Sequence, residues 1–456
     1  MINQDSDNKK NSSTGNKSLH SIGSHKDRKY DTIPFRLEFI KELLEGKKLD
    51  PMIDFNNCET ENFITPIKSS KLSDNGSSGN GSPINGYYED NIIDTRNVLN
   101  KKLHNFYKVI NQIGGKLLYI KSGTTGHTFK GIVSPESGVN INYAVKVVAY
   151  PKREKYGDMN DIRRPENAEL MMIRLLSYFV VKKQSPHIVL PIGTFNTSIK
   201  PFVNLINENV VEKDNKKYLE FVERFKKGEY YDHVSILISE WANRGDLLDF
   251  IRKNYKEFKL IHWKVFFFQI ISVLAVIQSK YPTFRHNDLK ANNILVHKVS
   301  QRGNLFSYTV NRCRYIVPSI GYQVKLWDFD FACIPGLVEN SKVSAKWTDE
   351  INVKPEQNRY YDLHYFFNTL IKKGFFPQFM EEDIIPQEAK NFVNRIVPKT
   401  YQFGKYVTKR GRILTNNEYL IPDEVLKNDP FFEEFRNNNI KKKKKKNSSL
   451  KLLKNN

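Results

Sequence analysis

Apolar positions along this chain change their period once, and the change divides it. Between Phe106 and Gly193 the pattern is mostly strand-like, as in Tyr143–Val148 (YAVKVV), a run of β-branched and aromatic residues. A helix interrupts it at Asn167–Val181 (NAELMMIRLLSYFVV), where apolar residues recur at spacings of three and four. His187–Phe195 and Val234–Trp241 read as further strands, with a polar, partly helical insertion at 200–230. Beyond Asp246 the pattern is helical. Ile261–Ser279 is the longest helix candidate and Tyr360–Lys372 a second buried one. Two short strands are expected at the ends of 294–327, separated by a polar segment at 298–319. The predicted class is α+β: an antiparallel-sheet lobe with one key helix, a mostly helical lobe, and a nucleotide-sized cleft between them.

The flanks read differently. Residues 1–98 are expected to be largely disordered or linker, with a short helix near 35–44 and a Ser/Gly/Asn-rich stretch at 69–86. The folded domain is expected over 99–436, its first lobe at about 99–240 and its second at about 241–436. A Lys-rich tail at 437–456 closes the chain. It holds eight lysines between 441 and 454 out of a formal net charge of +22. Such a run is a solvated tail or a weak, nonspecific contact for an anionic partner, nucleic acid or lipid. It has no interleaved aromatics, which argues against a base-stacking platform. Cys58, Cys313 and Cys333 are too few and too scattered for a disulfide framework or a zinc site. The N-terminus has no signal-peptide core, and the longest apolar run, Val265–Ile277, falls short of a bilayer span. A soluble, intracellular protein without a transmembrane segment is expected.

Five segments carry candidate chemistry, and they occur in the order that phosphoryl transfer requires. Ser122–Gly131 reads SGTTGHTFKG, with Gly123 and Gly126 in a turn between two candidate strands, where they let backbone N–H groups approach phosphate oxygens. Against the pattern G-x-G-x-x-G-x-V they stand at the second and third glycines, with Lys121 at the first and Thr128 at the valine. Ser122, Thr124 and Thr125 fill the remaining loop positions. Lys146 follows Ala144 and Val145 on a strand, where its ammonium needs an anion. The α- and β-phosphates of ATP would serve, with Glu169 as orienting partner and Glu166 as fallback.

The third segment, Ser239–Asp246, is a strand-to-helix junction. Backbone groups of Glu240 and Ala242 would read an adenine edge there, and Asp246 would accept from a ribose hydroxyl. The fourth, His286–Asn293 (HNDLKANN), matches H-R-D-L-x-x-x-N except at the arginine. Asp288 would accept the proton of a substrate hydroxyl, Lys290 would neutralise the transferring phosphate, and Asn293 would hold Mg²⁺ or Mn²⁺. In the fifth, Asp328-Phe329-Asp330, Asp328 would be the metal carboxylate.

Residues 106 to about 372 therefore resemble the eukaryotic-type protein kinase domain. The non-glycine Lys121, the missing arginine at Asn287, DFD in place of DFG, and Tyr360–Phe367 (YYDLHYFF) make them similar to one branch: the virion serine/threonine kinases of poxviruses and giant DNA viruses. The resemblance implies transfer of the γ-phosphate of ATP to Ser/Thr hydroxyls of protein substrates, in a host cytoplasm or a virion. Lys290 is the residue typical of Ser/Thr rather than Tyr kinases. The resemblance makes His286 a structural residue and Asp362 the buried carboxylate that fixes the catalytic loop. Asn287 cannot pair with a phosphorylated segment, so activity is expected without phosphorylation of Ser341, Ser344 or Thr348. Asp330 lacks the conformational freedom of glycine and would either restrict the motif or add a carboxylate near the metals. A small-molecule kinase of the aminoglycoside or choline kinase type and a pseudokinase scaffold are the alternatives.

Overall fold

Cross-strand pairing organises the first half of the chain. The computed structural model describes residues 2–3, 32–55, 94–123, 125–133, 141–299 and 303–436. Its main sheet has six strands, β1 (Ile2–Asn3), β2 (Lys116–Ser122), β3 (Gly126–Val133), β4 (Ile141–Pro151), β5 (Pro191–Ser198) and β6 (Tyr230–Glu240), in the order β1-β2-β3-β4-β6-β5. All pairs are antiparallel except the two-residue β1, which pairs parallel with β2.

Side chains alternate across β4: Val145 and Val147 are buried, while Ala144 and Lys146 are half-open. Residues directly opposite share a face, so the register Thr128↔Lys146 and Ala144↔Ser239 gathers four predicted cleft residues on one side of the sheet. Gly126 is required where it stands, because an added Cβ would lie 1.8 Å from the Val147 carbonyl oxygen.

Helices α1 (Ile33–Leu44), α2 (Thr95–Val98), α3 (Phe106–Ile113), α4 (Pro165–Val181) and α5 (Lys216–Lys226) belong to this half. Phe106–Ile113 was expected to be strand-like and is helical. Phe106, Val109, Ile110 and Ile113 are its buried positions, a helical spacing, and the Asn105 side chain caps it by accepting from Lys108 N–H. The insertion at 200–230 supplies α5, whose Tyr218 and Phe221 pack on His127 in β3.

The second half is built around one helix. Its elements are α6 (Leu247–Asn254), α7 (Leu260–Lys280), β7 (Ile294–Lys298), β8 (Leu305–Val310), β9 (Cys313–Pro318), β10 (Tyr322–Leu326), α8 (Lys346–Asp349), α9 (Tyr361–Leu370), α10 (Gln378–Glu381), α11 (Gln387–Ile396) and α12 (Pro422–Asn428). Every residue of α7 from Trp263 to Gln278 is buried. At 21 residues and a mean hydropathy of 2.0 this helix is long and apolar enough to cross a bilayer, contrary to the shorter run counted from sequence. Yet 83% of its apolar window is buried inside the fold. Phe267 sits among Phe367, Phe379, Phe392 and Phe431, which ties α9, α10, α11 and the segment after α12 to it.

The polar segment expected at 298–319 is a hairpin, β8–β9. Its turn residues Asn311 and Arg312 both have positive φ, the geometry of a two-residue turn matched to strand twist. Tyr308 of the hairpin stacks on His187 with 5.6 Å between ring centroids and meets Phe268 of α7 edge-on. Strands β7 and β10 pair antiparallel at its base.

Part of the N-terminal region predicted as disordered or linker belongs to the core. Phe39, Ile40, Leu43, Leu44, Leu49, Met52 and Ile53 are buried, and Leu49 packs where Gly193 has no side chain. The remaining linker stretch and the Lys-rich tail lie outside the described residues. Helix α1 is held by an ion pair: Arg36 binds Glu240 through Nε–Oε2 (2.9 Å) and Nη2–Oε1 (2.5 Å), and also donates to the Pro186 and Ile188 carbonyls. Lys325 of β10 reaches the same carboxylate at 2.8 Å.

Burial alone would raise the Glu240 carboxyl, but Arg36 and then Lys325 outweigh it and hold it at about 2. The folded value lies below the ordinary 4.5, so the stabilisation is present above that pH and lost as pH falls through about 2. Arg36→Met, which leaves Glu240 to Lys325, is expected to lose about 3–5 kcal/mol in urea denaturation at pH 7. The gap to wild type should narrow below pH 4.5. A loss under about 1 kcal/mol at pH 7, the range of an exposed pair, would show that α1 is not anchored this way.

Candidate active site

Lys146 lies where the two lobes meet. Its ammonium is 2.6 Å from Glu169 Oε1 on α4 and 2.9 Å from Asp328 Oδ1 after β10, with the Trp327 ring 5.5 Å away. Glu166, the fallback partner, pairs with Arg164 at 3.2 Å. Burial works against charge on all three groups of the cluster. Lys146 nevertheless stays above its ordinary value because Asp328 and Glu169 flank it. Burial pushes the Glu169 carboxyl up despite Lys146, with Asp328 and Asp330 adding repulsion, while Lys146 holds the more open Asp328 down. The result is an ammonium held between the buried Glu169 carboxyl and the more open carboxylate of Asp328. Asp328 has φ +63°, a left-handed conformation uncommon outside glycine and asparagine, and in it the carboxylate reaches Lys146.

The catalytic-loop segment is fixed from behind. Asp362 on α9 is fully buried and accepts from His286 N–H (2.7 Å) and Asn287 N–H (2.9 Å). Burial raises its carboxyl, while His286 and these donors pull it back. The His286 ring donates from Nε2 to the Trp327 carbonyl (3.0 Å) and lies against Phe329, so the loop is joined to the strand that delivers Asp328. Asn287, at the arginine position of the H-R-D pattern, has φ +62°, which asparagine tolerates. Its amide donates to the Phe331 carbonyl at 3.1 Å.

Three side chains converge on Asp288. Lys290 Nζ is 2.7 Å from Oδ2, and Asn293 Nδ2 donates to Oδ2 and to the Asp288 carbonyl, both at 2.9 Å. The third is Arg412, which sequence reasoning missed. It hydrogen-bonds Asp288 Oδ1 and the Asn287 carbonyl from a segment 124 residues away. No local pattern marks it, since it lies in a basic run (KRGR) that reads as solvated surface.

The nucleotide end is less closely bound together. Gly123 N–H donates to the Gly126 carbonyl across the turn between β2 and β3, and Lys121 and Ser122 end β2 beside Thr128 and His127. Ser122 turns inward to His127 Nδ1 at 2.9 Å. Thr125 ends the same turn, its carbonyl accepting from Ala149 N–H, and Thr124 lies outside the described residues. The Glu240 side chain is committed to Arg36, Lys325 and the Leu190 N–H, its own N–H donates to the Leu190 carbonyl, and its carbonyl accepts from Ser239 Oγ at 3.5 Å, so an adenine edge would have to share that carbonyl. Ala242 follows, buried. Asp246 caps α6 by accepting from Asp249 N–H through Oδ1 at 3.0 Å, so a ribose would have to share this carboxylate.

Among the described residues no group of three or more His, Cys, Asp and Glu side chains could enclose a metal ion. The donor set suits magnesium all the same. That ion takes one or two protein oxygens and completes its shell with water and phosphate, and Asp328 with the Asn293 amide oxygen provides two. Asp330 is not strained, having no positive φ, and its carboxylate pairs with Lys342 of the following segment while lying within electrostatic reach of Lys146 and Glu169. Lys342 also lies 3.9 Å from the Phe331 ring centroid.

Residues 151–435 match the family described as poxvirus serine/threonine protein kinase. The chain belongs to that family. The matched span holds Glu169, the catalytic loop, Asp328, Asp362 and Arg412. The glycine loop and Lys146 precede it. The chain is similar to "Putative serine/threonine-protein kinase R400" of Acanthamoeba polyphaga mimivirus, 46% identical over 409 residues that cover 88% of this chain and 80% of the relative. It is also similar to serine/threonine-protein kinase 2 of fowlpox virus, 29% identical over 206 residues that cover 44% of this chain and 43% of the relative. The corresponding kinase of vaccinia virus (strain Western Reserve) is 29% identical over 192 residues, 40% of each chain. The match to these two poxvirus relatives thus spans less than half of their length.

In this family member, Asp330→Gly is expected to leave the Mg²⁺ concentration dependence of phosphate transfer unchanged. It should increase proteolysis within 331–350, because Lys342 loses its anchor. A shifted Mg²⁺ dependence with unchanged proteolysis would place Asp330 among the metal groups instead.

Proposed function

We propose that this serine/threonine protein kinase moves the γ-phosphoryl group of ATP to hydroxyls of protein substrates with Asp288 as the base. The observation that carries the reading is the pair of convergences: Glu169 and Asp328 on Lys146, and Lys290 and Asn293 on Asp288. The same geometry favours an intact catalyst over a scaffold, since base, lysine and metal donors are all in place. Family membership favours protein over small-molecule substrates.

The division of labour follows from charge. Lys146, held by Glu169, offers its ammonium to the α- and β-phosphates. Asp328 and Asn293 supply oxygens to magnesium, which when bound neutralises charge on the β- and γ-phosphates. Asp288 lies within 3 Å of two donors that fix its carboxylate, one oxygen of which accepts the substrate hydroxyl proton. Lys290, already beside that carboxylate, is placed to meet the incoming phosphoryl oxygens. The viral relatives make a host cytoplasm or a virion the expected setting.

The segment after Asp328 is proposed to work unphosphorylated. Thr348 is fully buried with its hydroxyl donated to the Val343 carbonyl at 3.0 Å, which leaves Ser341 and Ser344 as the accessible sites.

Casein and a basic protein should be labelled by wild type with Mg²⁺ and ATP, and mass spectrometry should place the phosphate on Ser and Thr. Asp288→Ala should lower kcat by about 10²–10⁴-fold, and Lys146→Ala should act mainly at the ATP step. Equal labelling by wild type and Asp288→Ala would sink the reading. Phosphatase-treated wild type should keep its rate, and activity that appears only after phosphorylation of Ser341 or Ser344 would overturn the unphosphorylated-segment reading.

A further inference from the structure

The chain segment that follows α11 returns to the base of the catalytic loop. Val407 and Ile413 bridge, and between them the backbone makes a tight turn in which Thr408 N–H donates to the Arg412 carbonyl (2.8 Å) and Arg412 N–H to Thr408 Oγ1 (3.0 Å). Gly411 has φ +92° and presses against Lys372, so a side chain there would be both strained and crowded. Its carbonyl accepts from the Asn368 amide of α9 at 2.9 Å. The turn is thus pinned to α9, the helix that carries Asp362, and it aims Arg412 inward.

Arg412 is buried, with 7% of its side chain exposed. One guanidinium nitrogen donates to the Asn287 carbonyl and to Tyr361 Oη (3.3 Å), another to Asp288 Oδ1, and the plane lies over the Tyr365 ring at 4.2 Å. A buried cation demands an anion, and among the described residues the carboxylate it pairs with is Asp288. The fork geometry matters, because a single rigid group spans loop backbone and loop side chain at once.

We infer that Arg412 is a positioning residue for the catalytic base, locking Asp288 from the C-terminal segment in a chain whose loop lacks the usual arginine. This rests on Asp288 being the base. Acceptor counting separates positioning from occlusion. A carboxylate has about four acceptor sites. Arg412 takes one on Oδ1, and Lys290 and Asn293 take the two on Oδ2, which leaves one on Oδ1 for a substrate hydroxyl.

The test uses the full chain with casein as phosphate acceptor. Arg412→Ala should lower kcat by about 10²-fold, the effect of a misplaced catalytic group, with KM for ATP unchanged and the thermal shift on adding Mg²⁺ and ATP preserved. Guanidinium added below denaturing concentration should restore part of kcat in Arg412→Ala and none in Asp288→Ala. Arg412→Lys, which keeps charge but loses the fork, should retain intermediate activity. If Arg412→Ala does not fold, Arg412→Lys carries the test through the same kcat-against-KM split. A kcat within about threefold of wild type, or one that rises, overturns the inference, as does absent guanidinium rescue in a folded variant. An active wild type with an unaffected Arg412 variant overturns this inference alone. A wild type no more active than Asp288→Ala overturns the proposed function with it.

Discussion

One ammonium joins the two halves of this molecule. Lys146 belongs to the sheet, Glu169 to the helix beside it, and Asp328 to the strand pair of the second half, and the cation touches both acids. Removing either acid would leave the half-open ammonium with one partner in place of two, at a cost that solvent reaching Lys146 and Asp328 reduces. The cluster therefore fixes the relation of α4 to β4 and of the sheet to β10 together. Everything placed by those elements inherits that relation: the glycine turn one register step away, the Ala144–Ser239 wall, and the carboxylate of Asp328.

A second constraint acts from below. Asp362 fixes two loop N–H groups, His286 ties the loop to Trp327, and α7 supplies the apolar mass against which α9 rests. The charged residues are thus held by groups that are themselves buried and hydrogen-bonded, the condition for a site that needs little reorganisation when substrate arrives.

Legibility in the sequence followed range. The strands with alternating β-branched residues, the helix at 167–181, α7 and α9 all declare themselves within a window of about 18 residues. The candidate-site residues with fixed local spacing, from Lys146 to Asp328, could be proposed for the same reason, because the chemistry would dictate both type and interval. The misses are also physical. Phe106–Ile113 is eight residues with an apolar stripe and was absorbed into a strand-rich neighbourhood. The β8–β9 hairpin exposes Ser307, Thr309 and Arg314 on one face, so its alternation looked like polarity. Arg36 and Arg412 are surface-type residues in local context. They become buried only through partners 204 and 124 residues away, and no window contains that information.

The segment after Asp328 is held by a cation of its own, Lys342. Where a loop is ordered by phosphate, a charge near −2 pairs with an arginine after modification. Here the corresponding anions are carboxylates already in the chain. Within that segment Asp330 holds Lys342 twelve residues on, while Arg412 grips Asp288 of the catalytic loop. A single carboxylate is weaker than a phosphate, and the Phe331 ring beneath the Lys342 ammonium offsets part of the difference. The decisive contrast is persistence. A carboxylate is present from synthesis, whereas a phosphate exists only between its addition and its removal, so the Asp330–Lys342 pair needs no modification to form.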